Sequence, residues 1–176
     1  MEHKDHVYLL HDGVPGHGGA WADLGSGWGA FTLALADLLG PGAEIYSVDK
    51  DRGSLREQER ALASRFPQTG VHYMTADFTR PIDLPPLDGI VIANALHYVR
   101  HKEPVLQLLR SYLKPGARLV LVEYNSDHGN PWVPHPLSFP NWEALATRSG
   151  FTATRLLARV PSRFLNEIYS ALSFRE

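Results

Sequence analysis

The chain has 176 residues, 44% hydrophobic and 20% charged, with 17 Lys plus Arg against 19 Asp plus Glu for a formal net charge of −2. That length suits a single domain of about 150 residues and leaves no room for two, and the composition excludes a disordered or collagen-like chain. The balanced charge provides no global field to recruit nucleic acid or an anionic membrane, and the lack of cysteine excludes disulfides, thiolate metal sites and a cysteine nucleophile.

The first residues, MEHKDHVYLLHDG, are polar and His-rich, without the apolar core of a signal peptide. No uncharged apolar run approaches the roughly 20 residues of a membrane-spanning helix, so a cytoplasmic location is expected. Ala20 to Leu24 reads as a strand ended by glycines, and Trp28 to Leu39 as a helix, with Phe31, Leu35, Leu38 and Leu39 at helical spacing. Pro41-Gly42 ends that helix and Glu44 to Asp49 forms a second strand. Ser54 with Glu57 fits a capping box, opening a helix that presents Leu55, Leu62 and Phe66 and stops near Pro67.

Val71 to Thr75 is the third strand, and the proline-rich stretch Arg80 to Leu87 connects it to the fourth without a full helix. Asp88 to Ala93 is nearly all apolar, as in a strand buried on both faces of a parallel sheet. Pro104 to Leu113 reads as a helix, Lys114-Pro115-Gly116 as a turn and Arg118 to Tyr124 as the fifth strand. A Pro-, Trp- and His-rich loop spans Asn125 to Pro140, and Asn141 caps a short helix through Ser149. Thr152 to Val160 and Phe164 to Ser173 are separated by Pro161-Ser162-Arg163 alone, which permits an antiparallel pair but not a parallel crossover. The alternation predicts an α/β fold with a mostly parallel sheet and one reversed strand near its end.

Between the first strand and its helix lies Asp23-Leu24-Gly25-Ser26-Gly27-Trp28-Gly29, where glycines let the backbone approach a ligand and expose helix N-terminal amides. GSGWGA, with Ala30 in the last small position, also satisfies the loose dinucleotide fingerprint, which leaves a nicotinamide-dependent oxidoreductase open. Asp23 weighs against it: a carboxylate before the first glycine repels a pyrophosphate and suits the ammonium of an amino-acid-bearing cofactor.

Several segments carry a resemblance. Asp23, Gly25, Gly27 and Gly29 form an acidic residue followed by a G-x-G-x-G loop, Asp49 follows Gly29 by twenty positions, and Ala76-Asp77 follows the third strand. Together with DGIVIANALHY and LKPGARLVLVEY, these make most of the chain resemble the class I S-adenosylmethionine (SAM)-dependent methyltransferases. The resemblance implies a three-layer α/β/α Rossmann-like sandwich with a seven-stranded, mostly parallel sheet. It implies SAM as cofactor and methyl transfer to a small molecule by in-line displacement. In that family the carboxylate at Asp49 accepts both ribose hydroxyls, Asp77 faces the adenine amino group, and Asn94 and His97 flank the methyl donor. Ser26, Lys50, Ala76 and Phe78 complete the implied cofactor-binding set with Asp23, Gly25, Gly27, Gly29, Asp49, Asp77 and Asn94.

A general base is required only where the methyl acceptor starts protonated. His97 is the best-placed candidate because imidazole titrates near neutrality, with Glu123 and Tyr124 as alternatives. Asn94-Ala95-Leu96-His97 departs from the Asn/Asp-Pro-Pro-Tyr/Phe segment of enzymes that methylate adenine amines or glutamine amides, and with the balanced charge this disfavours a nucleic-acid substrate. Trp132 and Phe139 are candidates for the wall or lid of a small-molecule pocket. Tyr46 to Lys50 spells the Y-x-x-x-K of short-chain dehydrogenases, but across a strand end rather than on a helix, so chance explains it. His3, His6, His11, Asp12 and His17 lack the helical placement of a metal site, and no metal is expected. Residues 20–176 are expected to form the domain and residues 1–19 to cover the cofactor site. The pocket would then be open, covered by that segment and the Asn125 to Pro140 loop, or completed by a second subunit in a homodimer. A SAM-binding regulatory or scaffold protein without transfer activity carries the same cofactor motifs and remains the alternative.

Overall fold

The computed structural model describes residues 1–176. In chain order it contains α1 (His3–Leu10), β1 (Ala20–Leu24), α2 (Ala30–Leu39), β2 (Glu44–Asp49), α3 (Arg52–Arg65), β3 (Gly70–Thr75) and β4 (Leu87–Ala93). A single 3-10 turn at Leu96–Tyr98 leads to α4 (Lys102–Tyr112), β5 (Leu113–Tyr124), α5 (Phe139–Arg148), β6 (Phe151–Pro161) and β7 (Glu167–Arg175). The seven strands form one sheet in the order β3-β2-β1-β4-β5-β7-β6. Only β7 runs against its neighbours. The chain steps outward from β1 to β3, then returns to place β4 on the other side of β1, so the crevice for a ligand opens where β1 and β4 end.

Alternation along the central strands divides the core into two layers. Trp21, Val91, Val120 and Val122 face one layer, closed by Leu9 and Leu10 of α1, Phe31 and Leu35 of α2 and Leu62 of α3. Ala22, Ile90, Ile92, Leu119 and Leu121 face the other, closed by Leu106 and Leu109 of α4 and Trp142 of α5. Helices on both faces explain why β4 and β5 read as unbroken apolar runs.

Local chemistry moved several boundaries. Residues 3–10, polar and His-rich in sequence, form a helix whose Leu9 and Leu10 are fully buried, and Asp5 accepts the Glu2 backbone N–H at 2.8 Å to close its first turn. The α2 helix starts at Ala30 rather than Trp28 because Gly29 holds a left-handed backbone, φ +81°. The N-cap of α3 is Asp51, not Ser54: its carboxylate accepts the backbone N–H of Gly53 and Ser54 and the Ser54 hydroxyl, leaving Ser54 inside the helix. Asn141 likewise lies inside α5, which begins at Phe139 because proline is tolerated in a first turn and Asp127 holds Ser138 at the cap. β5 starts at Leu113, its pairing with β4 interrupted by a register shift, where the sequence suggested a turn. The β6–β7 hairpin turns over residues 162–166, beyond Pro161-Ser162-Arg163, because Asn166 takes the left-handed conformation that reverses the chain.

One close contact in the sheet sets a test. A Cβ at Gly89 would lie 2.3 Å from the ring of Trp21, the fully buried side chain beside it on β1. Gly89→Ala is expected to destabilise the fold by about 1–3 kcal/mol through overpacking, read as a lowered thermal midpoint.

Candidate functional site

The glycine loop is held from below by β2, whose Val48 carbonyl accepts the N–H groups of Gly25 and Ser26 at 2.8 and 3.0 Å. A Cβ at Gly25 would stand 2.6 Å from the Ala95 Cβ and 3.2 Å from the Phe78 ring. One at Gly29 would stand 2.5 Å from the Gln58 Cβ. Both glycines also hold positive φ, so the loop fits between the end of β4 and α3 only without side chains at these positions.

Above the loop lies a pocket of about 320 Å³, lined by Gly25, Gly27, Asp49, Lys50, Ala76, Asp77, Phe78, Thr79, Asn94, Ala95, Tyr98 and Val99. Asp23, Ser26 and Gly29 lie outside its wall. The Asp49 carboxylate accepts the Gly27 N–H on Oδ2 and the Asp51 N–H on Oδ1, each at 2.8 Å. A carboxylate has about four acceptor positions, so two remain for a pair of vicinal hydroxyls. Asp77 Oδ1 accepts the backbone N–H and hydroxyl of Thr79 at 3.0 and 2.7 Å, which holds the acid below the usual carboxylate range. Its other oxygen makes no hydrogen bond within the chain. Asn94, at φ +50°, has a buried Oδ1 without a partner, an acceptor suited to an ammonium or hydroxyl donor. The close-fitting glycine cradle, the spare acceptors of Asp49 and the unpartnered Asn94 oxygen fit the adenosyl and amino-acid parts of SAM.

Beneath the loop is a side chain that the sequence did not single out. Gln58 of α3 is fully buried, its Nε2 donating to the Ser26 hydroxyl and the Gly27 carbonyl at 3.0 and 2.9 Å and its Oε1 accepting from the Ser47 hydroxyl at 2.7 Å. The Ser26 and Ser47 hydroxyls share a further hydrogen bond of 2.8 Å. The Gly27 residue is thus clamped at both ends, its N–H on Asp49 and its C=O on Gln58. The available signal was position: Gln58 falls on the inward face of α3 with Leu55 and Leu62, where a polar residue needs a partner. Asp23 lies in the same layer, 1% exposed, and accepts the Thr32 hydroxyl at 2.6 Å. Burial pushes its acid up to about 7, against the opposing pull of Thr32 and with a smaller push from Asp49.

His97 is buried beside the pocket rather than in its wall. Glu123, also buried, accepts the His97 backbone N–H on Oε2 at 3.0 Å, and its Oε1 lies 2.8 Å from His97 Nδ1 and 2.9 Å from the Tyr124 N–H. The imidazole packs against two phenols, with centroid separations of 4.3 Å to Tyr98 and 5.6 Å to Tyr124. The loop after β5 is tied to the 3-10 turn by the His135 N–H on the His97 carbonyl and by Lys102 Nζ on the carbonyls of Val99 and His135. Of its aromatics, Trp132 is 70% exposed and Phe139 packs edge-on against Tyr169, and neither lines the pocket. The N-terminal histidines are dispersed: His3 contacts Asp37, His11 contacts Asp12, and His6 packs on Phe31.

Residues 22–119 match the model of the methyltransferase domain family, and the chain belongs to that family. It is 32% identical over 110 residues to the ubiquinone/menaquinone biosynthesis C-methyltransferase UbiE of Ectopseudomonas mendocina, covering 62% of this chain and 43% of that protein. It is 24% identical over 166 residues to the highly reducing polyketide synthase aurA of Calcarisporium arbuscula, covering 80% of this chain and 7% of that one. The chain therefore spans less than half the length of either relative. A SAM-dependent methyltransferase from Aquifex aeolicus has the same fold, with a TM-score of 0.76 at 18% identity over 98% of this chain and 90% of that one. The seven-stranded, mostly parallel sheet flanked by helices is the Rossmann-like class I architecture that the motifs implied.

Two outcomes follow from the groups beneath the loop. Gln58→Leu removes both clamps on Ser26 and Gly27 and is expected to weaken S-adenosylhomocysteine binding about tenfold or more, measured by calorimetry, as buried partners are left unpaired. For Asp23 the folded-state acid is raised above its ordinary value of 3.8 to about 7, so its favourable contribution is complete below pH 3.8 and is lost as the pH rises to 7. Asp23→Asn should therefore gain stability relative to the parent across that interval, by on the order of 4 kcal/mol at most, in denaturant titrations at successive pH values.

Proposed function

We propose that the chain methylates a carbon acid, a small molecule whose reacting carbon bears an acidic proton, using SAM as donor and His97 as base. The observation that carries this reading is the buried His97–Glu123 pair where β4 and β5 end. A carboxylate against Nδ1 assigns the proton to that nitrogen and leaves the lone pair on Nε2, which makes no hydrogen bond within the chain. A neutral amine or a thiolate acceptor needs no such base, whereas a phenol or a carbon acid must lose a proton. The relative from Ectopseudomonas is named a C-methyltransferase, which points to the same class of acceptor.

When bound, SAM supplies a methyl carbon made electrophilic by the sulfonium. Asp49 and Asp77 hold its adenosine, and Asn94 orients the amino-acid end. His97 Nε2 takes the acidic proton, Glu123 stabilises the resulting imidazolium, and the acceptor carbon keeps the electron pair that receives the methyl group. The net charge of −2 suits a small-molecule acceptor better than a polyanion.

The test is turnover with methyl-labelled SAM and a series of β-keto esters. His97→Ala is expected to lower kcat by about 10²–10⁴ while leaving S-adenosylhomocysteine affinity unchanged. Full turnover in that variant would remove His97 as the base, and no transfer by the parent chain would favour a SAM-binding protein without activity.

A further inference from the structure

Lys102, the first residue of α4, is only 9% exposed although it carries a charge and forms no ion pair. We infer that it is a positioning residue for His97: its ammonium fastens the 3-10 turn that carries the imidazole to the loop between β5 and α5. The inference rests on His97 acting as the base in methyl transfer.

Residue type and place are at odds here. The N-terminal end of a helix carries partial positive charge, so a cation in the first turn is unfavourable, and burying an ammonium adds a desolvation cost. An apolar side chain such as Met would fill the space without either cost. Glu103, the adjacent acid, is turned to Arg148 at 3.1 Å and does not neutralise the lysine. Burial lowers the Lys102 pKa from its ordinary value, and the attraction of Glu123, the same carboxylate that holds His97, opposes that shift. Stability alone therefore does not account for a lysine at this position.

Its hydrogen bonds account for it. Nζ donates to the carbonyls of Val99 and His135, each at 2.8 Å. Val99 closes the 3-10 turn, its N–H on the Leu96 carbonyl, and the His135 N–H donates to the His97 carbonyl at 3.0 Å. These bonds form a closed ring, from the His97 carbonyl through His135 and Lys102 to Val99 and back along the turn. With Glu123 on the His97 N–H and on Nδ1, both backbone groups of His97 and one ring nitrogen are held. A turn of three residues without a side-chain cap has little rigidity of its own, and the loop that supplies His135 has no helix or strand over residues 125–138. Lys102 ties these two weak elements to the start of a helix packed in the core through Val105, Leu106 and Leu109.

The test is a double-mutant cycle with Lys102→Met, which keeps most of the side chain's length and removes the ammonium, read with methyl-labelled SAM and the β-keto esters. Lys102→Met is expected to lower kcat about 10–100-fold in the parent but by less than about twofold in the His97→Ala background, with S-adenosylhomocysteine still bound. In NMR spectra, the Nδ1 proton of His97, protected from exchange by Glu123 in the parent, should broaden or vanish in the variant, a change that lower stability alone does not cause in the folded protein. Should Lys102→Met not fold, Lys102→Gln, uncharged and one atom shorter than lysine, carries the same expectations. Equal losses in both backgrounds, or an Nδ1 proton that behaves alike in parent and variant, would overturn the positioning role. Full turnover in His97→Ala would instead overturn the base reading, and with it the purpose assigned to Lys102.

Discussion

The close approach of the backbone at Gly25 to Gly29 to its neighbours is the constraint on which the site depends. The loop lies against Ala95 on one side and Gln58 on the other, at separations that no Cβ can occupy. That proximity brings the Gly27 N–H to Asp49 and its C=O to Gln58, and it fixes the loop relative to the ends of β2 and β4. The doubly covered sheet supplies the rigidity: with both faces buried, β1, β2 and β4 hold their ends at fixed spacing, and the loop has little freedom to open.

Burial gives the carboxylates around this loop different chemistry. Asp49 and Asp77 stand at strand ends within reach of solvent, each accepting N–H groups while keeping acceptor capacity for a ligand. Asp23 is one layer down, where desolvation favours its neutral form and the Thr32 hydroxyl is its hydrogen-bond partner. Glu123 is equally buried but is surrounded by donors, two backbone N–H groups and an imidazole, which makes it an orienting group for His97. The residue expected to meet the cofactor ammonium thus lies beneath the loop, and Glu123, given as an alternative base, is hydrogen-bonded to His97.

The positions of the pocket and of the β6–β7 hairpin are a consequence of topology. The switch between β1 and β4 opens the pocket above the glycine loop, while the single reversed strand, β7, carries the β6–β7 hairpin to the same edge of the sheet. In a sheet with every strand parallel, the chain would leave that edge through a crossover and no hairpin would stand there. Tyr98 and Tyr124 both pack against the His97 ring, at centroid separations of 4.3 and 5.6 Å.

The sequence by itself determined the order of strands and helices from β1 onward, the glycine loop, and the carboxylates at the ends of β2 and β3. Each is encoded locally, by apolar runs, by glycines between a strand and a helix, or by a residue's place at a strand end. Element boundaries were less legible, because the choice of Asp51 over Ser54 as a cap, or of Asn166 as the reversal point, depends on which group finds a partner in space. Residues far apart in the chain were illegible as partners: Gln58 lies 32 positions from Ser26, and His97 lies 26 from Glu123. Only tertiary structure decided that Asp23 is buried, that α1 packs into the core and that the Lys102 ammonium bridges the carbonyls of Val99 and His135. Hydrogen bonding and desolvation depend on distance in space, and that distance is fixed only when the sheet has closed.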